Sequence, residues 1–442
     1  MARGLIIGAP RSGSGKTTLT LALLAALRRR GVAVRAAKSG PDYIDPAFHA
    51  AAAGAPCPNL DSWAMPPATL DNIASSVAGA ADLVLIESAM GLFDGVEAGA
   101  GRTGAAADLA ARWRLPVLLV LDVSGQSQSA AAVARGFLSH DQSVRIAGVV
   151  LNRVGSERHH AQVARAMDAI GLKVLGSVPR DAAIALPERH LGLVQAGEIS
   201  GLLDLFSRLA DLAERTLDID GIVEIAGSFT PAGDSGPKIP PPGQRIALAR
   251  DAAFSFVYTH ILDGFRAQNA EIFEFSPLTD EAPPDHCDAC WLPGGYPELF
   301  AGQLAQAEQF RTGIRHFAAT RPVHGECGGH MVLGTTLTDA AGTTHPMLGL
   351  LSHATSFARR KLHLGYREAT LLGASVLGPV GSAVRGHEFH YASTTDPGGD
   401  TPLATLADAL GRDLGPAGGR RGHVSGSFFH AIAPVPTFGV PS

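Results

Sequence analysis

The hydrophobic positions in the first half of the chain form short continuous apolar runs, separated by longer stretches with helical spacing. The runs are residues 5–7, 83–86, 116–121 and 146–151. Continuous apolar runs of this length are typical of parallel strands that are covered on both faces. Helical stretches at residues 104–114 and 156–170 lie between them. The alternation predicts a doubly wound α/β domain that binds its ligands at the carboxyl ends of the strands.

The composition changes after a further helical stretch at residues 202–217. Residues 227–243 are rich in glycine, proline and serine, which is typical of a linker. A second α/β pattern then begins at Arg245. We therefore predict a first domain at residues 1–226, a linker at 227–244 and a second domain at 245–442.

Composition and charge narrow the class of protein. The chain has 442 residues, of which 46% are hydrophobic and 17% charged, and a formal net charge of -5. This charge gives no reason to expect nucleic acid as a partner. Four scattered cysteines do not form a disulfide framework, and no apolar run is long enough to span a membrane. Since the first strand follows directly on the N-terminus, we expect no signal peptide and a cytoplasmic location.

The apolar run at residues 5–7 leads into a glycine-rich loop that ends in Gly-Lys-Thr and opens a helical segment. This order is typical of a phosphate-binding loop, in which backbone N–H groups and the helix N-terminus cradle phosphates. Lys16 is expected to reach the β- and γ-phosphates and Thr17 to bind Mg²⁺. Pro10 stands where the pattern has its first glycine. The predicted nucleotide-binding residues are Gly13, Ser14, Gly15, Lys16, Thr17 and Thr18.

Acidic residues lie where the next strands are predicted to end. Asp42 and Asp45 follow the second strand-like segment, and Glu87 and Asp94 follow the run at residues 83–86. Carboxylate oxygens are the ligands that Mg²⁺ prefers, so Glu87 and Asp45 are candidate metal ligands. Asp42 and Asp45 also lie next to prolines, where aspartates often serve only as turn residues. The pattern alone leaves both interpretations open.

Three segments of the first half resemble the cobyrinic acid a,c-diamide synthase family. They are residues 38–46, 59–61 and 87–95. The N-terminal domain of that family is similar to dethiobiotin synthetase, and its first P-loop glycine is often displaced, as at Pro10. The resemblance therefore implies a P-loop domain that uses ATP to phosphorylate a carboxylate.

The same resemblance implies roles for individual residues. It assigns Thr17, Asp45 and Glu87 to Mg²⁺. It places Lys38, Asp42 and Asp94 where the γ-phosphate meets the substrate carboxylate. The chemistry agrees with this, because a lysine and a metal ion offset the charge of two anions that otherwise repel each other.

Cys327 lies in the sequence Glu-Cys-Gly-Gly, between a strand-like and a helix-like segment. This is the arrangement of a nucleophile elbow, and we expect the following helix N-terminus to lower the pKa of the thiol. His430, near the C-terminus, is a candidate base for that thiol. Upstream, an apolar strand ends in Pro-Gly-Gly. The backbone N–H groups of Gly294 and Gly295 are therefore predicted to form an oxyanion hole.

The second half resembles a class I glutamine amidotransferase domain of the type that cobyrinic and cobyric acid synthases share. The matching segments are residues 249–256, 275–278, 292–298, 326–329, 364–370 and 385–391. The resemblance implies that Cys327 attacks the side-chain amide of glutamine and that His430 is its base. Other class I amidotransferases have Pro-Glu after this histidine, whereas this chain has Ala431 and Ile432. The resemblance therefore implies a Cys-His dyad in place of a triad.

The resemblance covers nearly the whole chain and implies a glutamine-hydrolysing amide ligase of cobalamin biosynthesis. The implied partners are ATP, L-glutamine and a corrin, with Mg²⁺ as cofactor. The family amidates the a- and c-acetate side chains, and the form of the P-loop favours metal-free hydrogenobyrinic acid as substrate. Cobalt-bearing cobyrinic acid and a cobyric acid synthase-like amidation of other side chains stay open. A homodimer also stays open.

Two other classes of protein share part of the pattern. A partition or scaffold ATPase would share the P-loop but would need neither Cys327 nor His430, and a dethiobiotin-type carboxylase would need no second domain. Cys287 and Cys290 form one Cys-x-x-Cys without a second pair, so no zinc site is predicted. His387 and His390 belong to a motif of the family whose role does not follow from the sequence, and a contact between domains or with the substrate stays open.

Overall fold

A computed structural model describes residues 1–180, 188–189, 192–193, 201–233 and 235–436. Contacts divide the chain into two units, Met1–Gly236 and Pro237–Ser442. This division lies inside the predicted linker. The linker's first residues, Gly227–Ser228, pair with the strand Arg3–Gly8, so this end of it is attached to the first unit. The predicted bounds 1–226, 227–244 and 245–442 stay a prediction.

The first unit alternates strands and helices. Its strands are β1 (Arg3–Gly8), β2 (Val34–Ser39), β3 (Asn59–Leu60), β4 (Leu83–Glu87), β5 (Val117–Asp122), β6 (Ile146–Val154), β7 (Val174–Pro179), β8 (Glu188–Arg189), β9 (Gly192–Leu193) and β10 (Gly227–Ser228). Its helices are α1 (Lys16–Arg29), α2 (Asp45–Ala53), α3 (Pro67–Gly79), α4 (Ala106–Trp113), α5 (Ser129–His140), α6 (Glu157–Asp168), α7 (Leu202–Thr216) and α8 (Ile219–Ile225).

The main sheet of this unit has the strand order β3-β2-β4-β1-β5-β6-β7, with β10 added to β1. The strands from β3 to β7 run parallel, which confirms the predicted doubly wound α/β domain. Every residue of β4 and β5 is buried, as expected for strands covered on both faces. The chain reverses its winding direction around β1, so the loop after β1 lies at the switch point of the sheet.

The second unit combines an α/β layer with antiparallel strands. Its strands are β11 (Arg245–Ala249), β12 (Glu271–Phe275), β13 (Ala289–Leu292), β14 (Val323–Glu326), β15 (Thr336–Thr338), β16 (Thr344–Pro346), β17 (Ala354–Ser356), β18 (His363–Leu371), β19 (Ala383–His390), β20 (Ser393–Asp396), β21 (Ala404–Asp408), β22 (Asp413–Ala417), β23 (Gly419–Arg421), β24 (Val424–Ser427) and β25 (His430–Pro434). Its helices are α9 (Thr259–Arg266), α10 (Ala301–Gln306), α11 (Glu308–Ala318) and α12 (Gly328–Leu333).

The central sheet of the second unit has the order β12-β11-β13-β14-β24-β23 and is parallel except for β23. A five-stranded antiparallel sheet, β22-β21-β18-β19-β25, and a four-stranded sheet, β16-β15-β17-β20, complete the unit. A short turn joins β24 to β25. It places His430, at the start of β25, beside Gly294 after β13 and Glu326 at the end of β14. None of the described helices is both long and apolar enough to cross a membrane.

Two candidate active sites

The loop between β1 and α1 has the backbone shape of a phosphate-binding loop. Gly13 and Gly15 have φ angles of 74° and 94°, which side-chain-bearing residues rarely adopt. The Asn152 side chain, at the end of β6, donates a 2.8 Å hydrogen bond to the carbonyl of Ser14. A Cβ at Gly15 would lie 2.1 Å from Nδ2 of that asparagine. Gly15 is therefore required both by its φ angle and by the close approach of Asn152.

Gly15→Ala is expected to lower the free energy of unfolding by about 2–3 kcal/mol, because it adds the loss of the Asn152 hydrogen bond to backbone strain. Gly31 is a matched control: its φ is 79°, but a Cβ there would meet nothing within 4 Å. Gly31→Ala should cost only about 1 kcal/mol. Urea unfolding of the two variants measures the difference. Equal losses would show that the contact with Asn152 is unimportant.

Lys16 lies at the start of α1, and its Nζ donates to the carbonyl oxygen of Arg11 at 3.2 Å. Burial lowers the pKa of Lys16 to about 8, and the carboxylates of Glu87, Asp45 and Asp94 oppose this effect. An anionic ligand at the loop would restore the charged form. Thr18 lies on another side of the loop, where it lines a small cavity with Gly15 and Asn152.

The strand ends next to the P-loop bring opposite charges into contact. Lys38 is 1% exposed, and its Nζ lies 2.6 Å from Oδ2 of Asp45 and 2.8 Å from Oε1 of Glu87. Lys38 and Glu87 are register partners on β2 and β4, which explains their contact. Thr17 Oγ1 lies within hydrogen-bond distance of the same two oxygens, 2.8 Å from Glu87 and 3.3 Å from Asp45. The structure thus brings together four of the predicted residues.

Electrostatics stabilise the charged forms in this cluster. Burial alone would lower the pKa of Lys38, but Asp45, Glu87 and Asp42 together raise it above its ordinary value. Burial would raise the pKa of Glu87, but Lys38 and His49 hold it well below the usual range. Lys38 is therefore a buried cation, and the carboxylate of Glu87 stays ionised at neutral pH.

Asp42 and Asp94 lie at the margin of this cluster. Oδ2 of Asp42 is 3.8 Å from Nζ of Lys38, while its Oδ1 accepts from the backbone N–H groups of Ile44 and Asp45. Burial and the neighbouring Asp45 raise the pKa of Asp42 to about 6. Asp94 is exposed, and it accepts a 2.9 Å hydrogen bond from the N–H of Gly91. Their predicted contact with substrate stays a prediction.

Cys327 occupies the turn between β14 and α12 with a φ of 46° and a ψ of −103°. Its N–H donates to the carbonyl of Ser427 at 2.8 Å, which ties the turn to the end of β24. A side-chain-bearing residue at positive φ is strained, and such strain is concentrated at functional sites. The nucleophile elbow suggested by the sequence has this geometry.

The expected lowering of the pKa of the Cys327 thiol is wrong. Burial raises the pKa far above its ordinary value, and the nearby carboxylates of Glu298, Glu388 and Glu326 add to the effect. The N–H of Gly328, at the start of α12, acts in the opposite direction but is outweighed. The residue is 1% exposed. At rest the sulfur is therefore a neutral thiol, and a base must remove its proton during the reaction.

His430 faces Cys327 across Gly294. A Cβ at Gly294 would lie 2.9 Å from Nε2 of His430 and 3.3 Å from Cβ of Cys327, so both side chains border the same point. Gly295 is equally enclosed, since a Cβ there would lie 2.1 Å from the carbonyl oxygen of Ala253. The geometry requires glycine at both positions. That the N–H groups of Gly294 and Gly295 form an oxyanion hole stays a prediction. The catalytic roles of Cys327 and His430 stay predictions as well.

Comparisons with known proteins match a family model to part of each unit. Residues 5–194 match the CobQ/CobB/MinD/ParA nucleotide binding domain, and residues 245–436 match the CobB/CobQ-like glutamine amidotransferase domain. Proteins named hydrogenobyrinate a,c-diamide synthase are 62% identical in Mesorhizobium japonicum and 60% identical in Agrobacterium fabrum, each over 98% of this chain and 99% of the relative. A protein of the same name in Rhodobacter capsulatus is 53% identical over 98% of this chain and 99% of its own length.

The chain belongs to the hydrogenobyrinate a,c-diamide synthase family. The resemblance to the a,c-diamide synthases that residues 38–46 and 326–329 indicated is thereby confirmed. The predicted fold class, a P-loop domain followed by an amidotransferase-like α/β domain, is confirmed as well.

His49 is a further member of the charged cluster that the sequence motifs did not indicate. Its Nε2 lies 2.6 Å from Oε2 of Glu87, and both side chains are completely buried. Burial opposes the charged imidazole, but Glu87, together with a contact from Cys57, raises the pKa of His49 to about 10. His49 follows Asp45 by four residues on α2, so the two share a face of the helix. That spacing was a signal visible in the sequence.

The oxygen atoms near Thr17 fit a magnesium ion. The Thr17 hydroxyl lies 2.8 Å and 3.3 Å from the carboxylate oxygens of Glu87 and Asp45, close to the spacing of about 3 Å between neighbouring ligands of octahedral Mg²⁺. Among the described residues, no group of three or more His, Cys, Asp or Glu is arranged to hold a metal ion. Two carboxylates and a hydroxyl nevertheless suit Mg²⁺, which takes its other ligands from phosphates and water.

His387 and His390 are packing residues in the synthase's antiparallel sheet. His390 stacks on Phe428 at 3.9 Å and on His363 at 4.8 Å, and its Nδ1 bonds to the carbonyl of Ala392. Burial lowers the pKa of both His387 and His390 to about 3. Both imidazoles are therefore neutral at physiological pH.

These depressed pKa values predict that acid destabilises the protein. An unfolded histidine binds its proton near pH 6.5, whereas His387 and His390 in the folded chain do so only near pH 3. Their contribution to stability is complete above pH 6.5 and falls by up to ~1.4 kcal/mol per pH unit and histidine below it. Urea unfolding between pH 7 and pH 5 should show the loss, and a smaller one in His390→Phe. The same slope in both proteins would contradict the assignment.

Proposed function

We propose that this chain catalyses the ATP-dependent, glutamine-hydrolysing amidation of the a- and c-acetate carboxylates of hydrogenobyrinic acid in cobalamin biosynthesis. One observation carries the proposal: a single chain holds a P-loop beside the Lys38–Asp45–Glu87 cluster and a strained Cys327 that faces His430. The relatives named hydrogenobyrinate a,c-diamide synthase support the choice of substrate.

In the first unit, the P-loop would bind the phosphates of ATP, with Lys16 as a cation and the N–H groups of α1 as donors. Mg²⁺ held by Thr17, Asp45 and Glu87 would supply positive charge that offsets the phosphate oxygens. Lys38 adds a fixed cation beside the site where two anions must approach. The substrate carboxylate attacks the γ-phosphorus, ADP leaves, and an acyl phosphate results.

In the second unit, the Cys327 thiol gives its proton to His430, and the thiolate attacks the amide carbon of glutamine. Backbone N–H groups near Gly294 and Gly295 would stabilise the oxyanion. His430 returns the proton to the leaving nitrogen, so ammonia departs and a thioester remains. Water then hydrolyses the thioester to glutamate and the free thiol. The ammonia displaces phosphate from the acyl phosphate and yields the amide.

To test the proposal, purified protein is incubated with ATP, Mg²⁺, hydrogenobyrinic acid and glutamine labelled with ¹⁵N at the amide nitrogen. Mass spectrometry should find a product with two labelled nitrogens. A parallel reaction with cobalt-bearing cobyrinic acid measures the preference for the metal-free ring. Four incorporated nitrogens would indicate amidation of other side chains, and ATP hydrolysis without any incorporation would overturn the proposal.

A further inference from the structure

Glu326 connects the strand that carries the nucleophile to the strand that carries the base. It is the last residue of β14, directly before Cys327, and only 4% of it is exposed. Its Oε1 accepts a 3.1 Å hydrogen bond from the N–H of Ala431, the residue after His430. The carboxylate therefore holds the start of β25 against the end of β14.

The other carboxylate oxygen faces the imidazole itself. Oε2 of Glu326 lies 3.6 Å from Nδ1 of His430. The opposite ring nitrogen, Nε2, faces the point that Cys327 also borders. Carboxylate, imidazole and thiol thus lie in the same order as the acid, the general base and the nucleophile of a catalytic triad.

We infer that Glu326 is the positioning acid of the amidotransferase site. This inference rests on the proposed glutamine hydrolysis, and it replaces the expected Cys-His dyad by a triad whose acid precedes the nucleophile in sequence. The carboxylate of Glu326, 3.6 Å from Nδ1 of His430, favours the tautomer that carries its proton on Nδ1. Nε2 then carries the lone pair that takes the proton of the thiol, and the carboxylate stabilises the imidazolium that forms.

Other titratable groups surround this pair. Nε2 of His324 lies 3.9 Å from Oε1 of Glu326, and Tyr258 has its ring 6.5 Å from that of His430. His387 and His390 also interact electrostatically with His430, but burial keeps both of them neutral. Glu326 is therefore the acidic side chain closest to Nδ1 among the contacts that the structure describes.

Glu326→Gln tests the inference, because its carbonyl still accepts from Ala431 while its amide group donates to Nδ1 and favours the wrong tautomer. The kcat of glutamine hydrolysis should fall by roughly a hundred-fold, with little change in KM. The acid limb of the kcat/KM profile should move to lower pH, because the imidazolium loses its adjacent negative charge. Glu326→Asp keeps the charge and should leave the acid limb in place.

Ammonia-dependent amidation by each variant reports an intact fold and an intact first unit. A wild-type rate and pH profile in Glu326→Gln would overturn the inference, and so would equal losses in the Gln and Asp variants with no movement of the acid limb. Absence of glutamine hydrolysis in the wild-type protein would instead refute the proposed function. The pH dependence of Cys327 alkylation provides a second measurement that needs no turnover, and an unchanged profile in Glu326→Gln would also count against the inference.

Discussion

Cys327→Ala is expected to abolish amidation with glutamine as the nitrogen donor and to leave amidation with added ammonia close to the wild-type rate. In the proposed mechanism the sulfur of Cys327 forms the thioester, and Cys327 borders the same point next to Gly294 as His430. The first unit holds its own set of charged residues, so its chemistry does not need the thiol. Labelled product formed with glutamine and with ammonium salts measures the two activities separately.

Cys287→Ala is the matched control for this experiment. Cys287 is also a buried free cysteine, but it precedes β13, at the end of the parallel sheet opposite to the turn that holds Cys327. This variant should keep both activities. Loss of the ammonia-dependent activity in Cys327→Ala would contradict the independence of the two sites.

Asp45→Asn should reduce amidation about a hundred-fold or more, because it removes one carboxylate from the proposed metal site and one partner from Lys38. Asparagine keeps the size of the side chain, and Lys38 keeps its contact with Glu87, so the fold is expected to survive. Glutamine hydrolysis at Cys327 should remain measurable. Raising the Mg²⁺ concentration should restore part of the lost rate.

Asp204→Asn, on the exposed first turn of α7, controls for the loss of one negative charge. It should leave both activities unchanged. A full amidation rate in Asp45→Asn at ordinary Mg²⁺ would refute the assignment of Asp45 as a ligand.

The closeness of Lys38 and Glu87 to the P-loop could be predicted because of how a parallel sheet is built. Apolar runs mark its strands, and the carboxyl ends of neighbouring strands meet at one edge, so Lys38 and Glu87 were expected to lie near the P-loop. Their direct contact depends on the register of β2 against β4, which the apolar runs do not encode. The pairing of His49 with Glu87 depends on that register and on the orientation of α2.

The second site was harder to predict, because its chemistry depends on burial by distant segments. The thiol pKa was expected to fall at the N-terminus of α12, but burial raises it, and the carboxylates of Glu298 and Glu388, from other parts of the chain, add to the rise. Together these effects outweigh the N–H of Gly328 at the start of a six-residue helix. The five-stranded antiparallel sheet also escaped prediction. Its strand β18 mixes half-buried and exposed positions without the alternation that marks a strand with one buried face.

The enclosure of Cys327 has a consequence for the durability of the enzyme. Peroxides and alkylating agents react with exposed thiolates, and they react slowly with a thiol that is both protonated and shielded from solvent. The resting enzyme should therefore resist oxidative inactivation. Its sulfur should react fastest in the brief interval when glutamine is bound and the proton has moved to the imidazole.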